Sequence, residues 1–161
     1  MLNFLKKENG SVTVMMVVLL PVLLWCLFFF ESKMQARWIY TETQSILDFS
    51  TLAGASTGEG SKSTAGSVCS IPYNTSNKKN SGQHVAVELF KKNIKVLPAK
   101  VQESLLTELN EHKIEGLEDR DLQMAGYMQM KVSFKYKPNI PIFFSDYVFN
   151  VESVSHCSEL K

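Results

Sequence analysis

Between Glu8 and Glu31 the chain carries no Asp, Glu, Lys or Arg, and residues 12–30 read VTVMMVVLLPVLLWCLFFF. A helix needs about 20 predominantly apolar residues to cross a hydrocarbon core of roughly 30 Å. Core helices of soluble domains are shorter and amphipathic, whereas this run is apolar on every side. Pro21 is compatible with a membrane helix, where local adjustments re-satisfy the carbonyl that a proline leaves free. Lys6 and Lys7 precede the run as they would in a signal peptide. However, the run exceeds the usual ~7–15 apolar residues, and the following FFFESKMQARW offers no small-residue cleavage site. The expectation is a retained transmembrane helix over 11–30, anchoring the chain by a single pass in a cell membrane. The arm 1–10, with its two lysines, then lies in the cytoplasm and everything after Glu31 lies outside, although Lys33 and Arg37 at the far end weaken the charge asymmetry.

The helix has no reason to stop at the bilayer surface, because no Pro or Gly occurs after Pro21 until Gly54. A helix over 11–55 would be about 65 Å long at ~1.5 Å per residue, so roughly half would stand outside as a stalk, residues 31–56. Apolar or small residues recur at Met34, Trp38, Thr41, Ser45, Phe49 and Leu52, with Ile39, Ile46 and Ala53 on an adjoining line. That face is expected to pack on a partner. Trp38 and Tyr40 suit either the membrane interface or the external domain. Residues 57–81 are rich in Gly, Ser, Asn and Lys and read as a flexible loop, with an Asn74-Thr75-Ser76 sequon of little weight.

Residues 82–161 have the pattern of a small α+β domain. Val85, Leu89 and Phe90 fall at helical spacing behind Ser81 as N-cap, and Val101, Leu105 and Leu109 make a second stripe in a helix from Ala99 to Asn110 opened by Pro98. The clearest strand is YMQMKVSFKYK, in which Met128, Met130, Val132, Phe134 and Tyr136 alternate with polar residues, as in an antiparallel sheet with one wet face. A partner strand, YVFNVESVS, alternates from Tyr147 and slips in phase at Val154, which predicts a bulge. Lys113 to Leu117 supplies a weaker third strand. The fold class expected is therefore α+β: a long N-terminal transmembrane helix and stalk, then cover helices on an antiparallel sheet.

At 161 residues there is no room for two catalytic domains, and a net charge of +1 gives no bias toward nucleic acid. Cys69 and Cys157 bracket the external domain, where a disulfide is permitted; free thiols are the alternative. His84, His112 and His156 lack the spacing of a metal site, and Glu115, Glu118, Asp119 and Asp121 lack that of a calcium loop and read as a solvated loop. Lys78, Lys79, Lys91, Lys92 and Lys95 form a basic patch without interleaved aromatic residues, which reads as a solvated face. No nucleophile elbow or phosphate-binding glycine loop occurs, so neither an enzyme nor a cofactor is expected, and no specific nucleic acid.

Gly10-Ser11-Val12, the apolar run broken by Leu20-Pro21-Val22-Leu23-Leu24, and the stretch from Gln44 to Ala55 ending Leu52-Ala53-Gly54-Ala55 together resemble the TadE/TadG-like proteins of bacterial Tad (Flp) pilus assembly systems. The resemblance covers about residues 5 to 56. It implies a pilin-like architecture, and a minor-pilin or pseudopilin-like role alongside other pilin-like subunits and the assembly machinery. It also implies that a prepilin peptidase could cut between Gly10 and Ser11. Processed members usually carry Glu as the fifth residue after the cut, and here that position is Met15. A carboxylate in an apolar helix costs about 2.5 kcal/mol or more and is kept for a partner charge. Met15 cannot make that pair, so the resemblance points to an accessory component nearer the TadG-like branch. The competing expectation is a membrane-tethered extracytoplasmic binding or sensor domain unrelated to pili.

Overall fold

The computed structural model describes residues 8–63, 66–72, 81–111, 114–138 and 146–157. The fold is α+β: one long apolar N-terminal helix continues into a small domain with two antiparallel sheets. Helix α1 runs unbroken from Glu8 to Ala55, 48 residues, with Pro21 inside it. At ~1.5 Å per residue it is about 72 Å long. It is helical from the first described residue, Glu8, so Gly10 at the end of the expected arm lies within it. A single Gly costs only about 1 kcal/mol relative to Ala within a helix and does not end one that continues on both sides. The lower part of α1 is long and apolar enough to cross a membrane, and its most apolar stretch is not buried against the rest of the protein.

Above Phe30 the helix is not a free-standing stalk. Ala36, Ile39, Ile46, Leu47 and Ala55 belong to the same core as Phe90, Leu105, Met128, Met130 and Val151. The core of the small domain therefore includes residues of α1. The reason is physical: the strands offer a single apolar face, and the inner side of α1 covers it together with the apolar face of residues 99–110.

After α1 the chain forms a hairpin, β1 (Glu59–Ser63) and β2 (Gly66–Ser70), in register Glu59↔Ser70 to Ser63↔Gly66. This corrects the loop expected over 57–81, of which residues 73–80, including Lys78, Lys79 and the sequon, lie outside the described residues. The hairpin is held by a backbone ladder and a covalent tie, neither of which leaves an apolar alternation in sequence. Helix α2 (Gly82–Asn93) follows, with Ser81 Oγ accepting the His84 N–H at 3.2 Å as its N-cap. Its buried face is Gly82, Ala86 and Phe90, not Val85, Leu89 and Phe90. Small residues win there because α2 crosses α1 closely: a Cβ on Gly54 would lie 2.9 Å from the Gly82 carbonyl oxygen and 3.1 Å from the Ala86 Cβ. A 3-10 turn (Ile94–Val96) leads to α3 (Ala99–Asn110), which buries Val101, Leu105 and Leu109 as its spacing predicts.

The acidic segment is more ordered than a solvated loop. Glu115 pairs with Lys131 through two backbone hydrogen bonds of 2.9 and 3.0 Å and an ion contact of 3.3 Å. Of the weaker strand expected over Lys113 to Leu117, Lys113 lies outside the described residues; among those described there is this single bridge, and Gly116 (φ 81) then turns the chain away. Asp119 then caps α4 (Arg120–Met124) by accepting the Leu122 N–H at 3.0 Å.

Strands β3 (Tyr127–Tyr136) and β4 (Tyr147–His156) pair antiparallel from Tyr127↔His156 to Tyr136↔Tyr147. Met128, Met130, Val132, Phe134 and Tyr136 are all buried. The register is one-to-one through Val154, so the expected bulge is absent. Val154 is exposed and Ser153 buried: the alternation continues, with a serine inward because a threonine of α1 waits for it.

Candidate interaction surface

The position of each side chain on α1 above the apolar run follows from which side faces β4. Tyr147 lies near Lys33, whose Nζ sits 5.2 Å from its ring centroid, and Phe149 lies 5.9 Å from the Tyr40 ring. Higher up, Gln44 Nε2 donates to the Glu152 carbonyl at 2.9 Å, and Thr51 meets Ser153 and Ser155 at 2.7 and 3.0 Å. Strand β4 thus climbs α1 in parallel. The seam contains polar groups, and the hydroxyls of Thr43, Ser50 and Thr51 are accounted for locally. Thr43 and Ser50 donate to carbonyls one turn back, at 2.7 Å each, and Thr51 does so at 3.1 Å. Thr51 Oγ1 also reaches the Asp48 carbonyl at 3.0 Å and accepts from Ser155, while its bond with Ser153 Oγ can run in either direction, as a hydroxyl with one hydrogen and two lone pairs allows.

Rotating about the helix, the opposite side is open. Met34 is 72% exposed, Phe49 63%, Leu52 57% and Trp38 46%, and Thr41 and Ser45 between them are exposed as well. The residues picked out by spacing as a partner-seeking face are therefore brought together on one side of α1, and the domain leaves that side bare. Of the adjoining line, Ile39 and Ile46 are in the core. Between Thr41 and Leu52 the stripe is dished into a shallow hollow of about 320 Å³, edged by Gln44 and Asp48. A run of exposed large apolar side chains on one helix face is uncommon in a protein surrounded only by water. Tyr40 packs on the domain, whereas Trp38 projects.

Cys69 and Cys157 are joined in a disulfide. It ties the end of β2 to the residue after β4, and the Cys157 N–H donates to the Gly126 carbonyl at 2.9 Å. Gly126 (φ 83) turns into β3 directly against this bridge, where a Cβ would stand 3.0 Å from the Cys157 sulfur and closer still to the Cys69 carbonyl oxygen. Cys26 is a free thiol in the apolar part of α1. Gly10 and Ser11 lie near the beginning of the described part of α1.

A second concavity, about 630 Å³, lies between α2, the end of α3 and residues 114–119. Ser81, His84, Lys91, Asn110 and Asp119 supply polar groups to it, and Ile114 and Leu117 apolar ones. This cleft had no signal in sequence, since its walls come from three separate elements. His84 reaches Glu88 at 3.5 Å, and His156 lies 4.6 Å from the Tyr127 ring. His112 is outside the described residues. Behind the cleft Gln123 is fully buried. Its Nε2 donates to the Leu117 carbonyl at 2.8 Å and its backbone carbonyl takes the Ile71 N–H at 2.9 Å, which ties the hairpin's exit to α4. Among ionisable groups, Tyr136 has its hydroxyl pushed above the ordinary value of 10.0, first by burial and then by the neighbouring Tyr147.

Comparison with family models, with curated proteins and with solved structures returns no match, so the geometry stands by itself.

Proposed function

We propose that the protein is a non-enzymatic, membrane-anchored component of a bacterial Tad-type pilus or a related secretion apparatus, minor-pilin or pseudopilin-like. Residues 11–30 cross the membrane with residues 1–10 in the cytoplasm, and the domain stands outside. One observation carries the reading: the helix that is apolar enough to span a bilayer is also the central helix of the domain, and above Phe30 it keeps an open apolar stripe, Met34, Trp38, Phe49 and Leu52. A tether needs no such continuity. A subunit that packs through its helix against other helices does, because the same side must be apolar inside the membrane and beyond it. A photoactivatable residue at Trp38 or Phe49 in cells carrying the assembly machinery should give adducts with pilin-like subunits, and one at Asn150 on the outer sheet face should not. Equal labelling from both positions would remove the support.

The cleft between α2 and α3 favours a second reading, a membrane-tethered extracytoplasmic binding or sensor domain. Exchanging residues 11–30 for an unrelated apolar helix separates the two. Activity retained after the exchange supports the tether, and activity lost while the domain stays folded supports assembly. Under the first reading, prepilin peptidase is a partner only if the mature chain starts at Ser11, which N-terminal sequencing decides.

A further inference from the structure

We propose that the end of the β3–β4 sheet formed by Tyr136 and Tyr147 is a second membrane contact, seated among phospholipid headgroups with Lys33, Lys135 and Lys137 turned toward lipid phosphates. The proposal rests on the reading that residues 11–30 span a bilayer. It follows from where the sheet sits along α1. The sheet's far end is held high on the helix by Ser153 and Ser155 at Thr51, and its near end is held low. Tyr136 Oη donates to Gln35 Oε1 at 3.4 Å, and the Tyr147 ring lies 5.2 Å from Lys33 Nζ, which also stands over Phe29 at 5.7 Å.

Phe30 is the last residue of the uncharged run, and Gln35 lies five residues further on. At ~1.5 Å per residue this is about 7–8 Å along the axis. A headgroup layer occupies roughly 5–8 Å on each side, half the difference between a total thickness of about 40–45 Å and a core of about 30 Å. The rung Tyr136–Tyr147 therefore falls at headgroup level, within reach of lipid even if α1 tilts modestly.

The chemistry at this end suits that level. Tyr136 and Tyr147 turn their hydroxyls inward, so the contact falls to the lysines, which extend their stems along apolar surface with the charge outward. Lys33, Lys135 and Lys137 are exposed, and the acidic groups nearby are Glu31, which takes the Gln35 amide at 3.2 Å, and Asp146. Val148, directly across from Lys135, is 57% exposed on the outer face. At the other end of the same strand Val154 is 55% exposed and lies about 20 Å higher at ~3.3 Å per residue.

The test uses full-length protein in vesicles of phosphatidylethanolamine and phosphatidylglycerol that carry a nitroxide on a fraction of either the headgroups or the acyl chains. Single-tryptophan variants read depth: Trp38→Phe retains Trp25, and Val148→Trp or Val154→Trp is placed in a Trp25→Phe, Trp38→Phe background. The headgroup nitroxide should quench position 148 severalfold more than position 154. Lys135→Gln with Lys137→Gln should reduce that quenching more in these vesicles than in phosphatidylcholine alone. Equally weak quenching at 148 and 154 overturns the proposal. Trp25 reports the underlying reading separately: unquenched by the acyl-chain nitroxide, it removes the span itself, whereas quenched Trp25 with unquenched position 148 removes only the second contact. Ser133→Trp, exposed on the adjoining strand, repeats the measurement should Val148→Trp perturb folding.

Discussion

On the side of α1 that meets the sheet stand Ala36, Ile39, Thr43, Ile46, Leu47, Ser50 and Thr51; on the opposite side Met34, Trp38, Phe49 and Leu52 project outward. The inner side has the smaller residues with hydroxyls among them, whereas the outer side carries the largest apolar residues, with Thr41 and Ser45 between them. This inverts the usual expectation for a helix on a soluble domain, where the bulkiest apolar residues face the core. Small residues inside let the sheet and α2 approach closely, and the hydroxyls among them are neutralised by bonds to carbonyls one turn back. Large residues outside gain nothing from the domain. Their presence has a physical return only if a second apolar surface covers them.

The largest test asks whether the inner side holds without its covalent tie. The Cys69–Cys157 bridge spans 88 residues, and in the chain-entropy account such a loop contributes about 4–5 kcal/mol. Cys157→Ser should lower the urea midpoint of the micelle-solubilised protein accordingly, and reductant should do the same to the parent. An unchanged midpoint in both would mean that the bridge is structurally idle.

Next, Leu47 and Phe49 oppose the two sides directly, two positions apart on one helix. Leu47 is fully buried, so Leu47→Ala should cost about 2–5 kcal/mol through lost transfer energy and the cavity left behind. Phe49→Ala should stay within about 0.5 kcal/mol in the isolated chain, as surface substitutions do. A comparable loss at both sites would break the distinction. Thr51→Val should cost roughly 1–2 kcal/mol, because the Ser153 and Ser155 hydroxyls lose their common partner inside the seam. The double variant with Ser153→Ala should recover part of that loss; if it does not, the three hydroxyls are not coupled.

Which parts of this were readable beforehand follows from how each part is stabilised. Helix α3 and the inward set Met128 to Tyr136 were legible because burial there is strictly periodic and made by large apolar residues. The spacing of Met34, Trp38, Phe49 and Leu52 was legible too, but not that the domain would turn its back on them and take Ile39 and Ile46 instead. Two apolar lines on one helix carry no label saying which meets the chain's own sheet. The β1–β2 hairpin was invisible, since EGSKS and GSVCS lack alternation and depend on the ladder and on Cys69. The α2 face was misassigned because Gly82 and Ala86 are chosen for closeness, not for apolar area. Val154 suggested a slip only because a buried Ser153 has no apolar signature. The cleft below α2 had no sequence signal at all, being assembled from segments far apart in the chain.

The smallest expected effect probes the lower end of the seam, where Tyr136 meets Gln35. Burial and the neighbouring Tyr147 hold the Tyr136 hydroxyl above its ordinary 10.0, so the folded state retains its proton more strongly than the unfolded chain does. The sign follows from proton counting. Below about pH 10 both states are protonated and the contribution is fully present. As pH rises past 10 the unfolded chain binds fewer protons than the native one, so stability falls until the raised folded value is passed. Tyr136→Phe removes this component. Its hydrogen bond, at 3.4 Å, is long, and its loss near neutral pH should cost no more than about 1 kcal/mol. The parent should therefore lose stability more steeply than Tyr136→Phe between pH 10 and 11, followed by urea midpoints, with tyrosinate absorbance reporting a late-titrating group only in the parent. Parallel pH curves for the two proteins would place Tyr136 in contact with solvent and detach the sheet's lower end from α1.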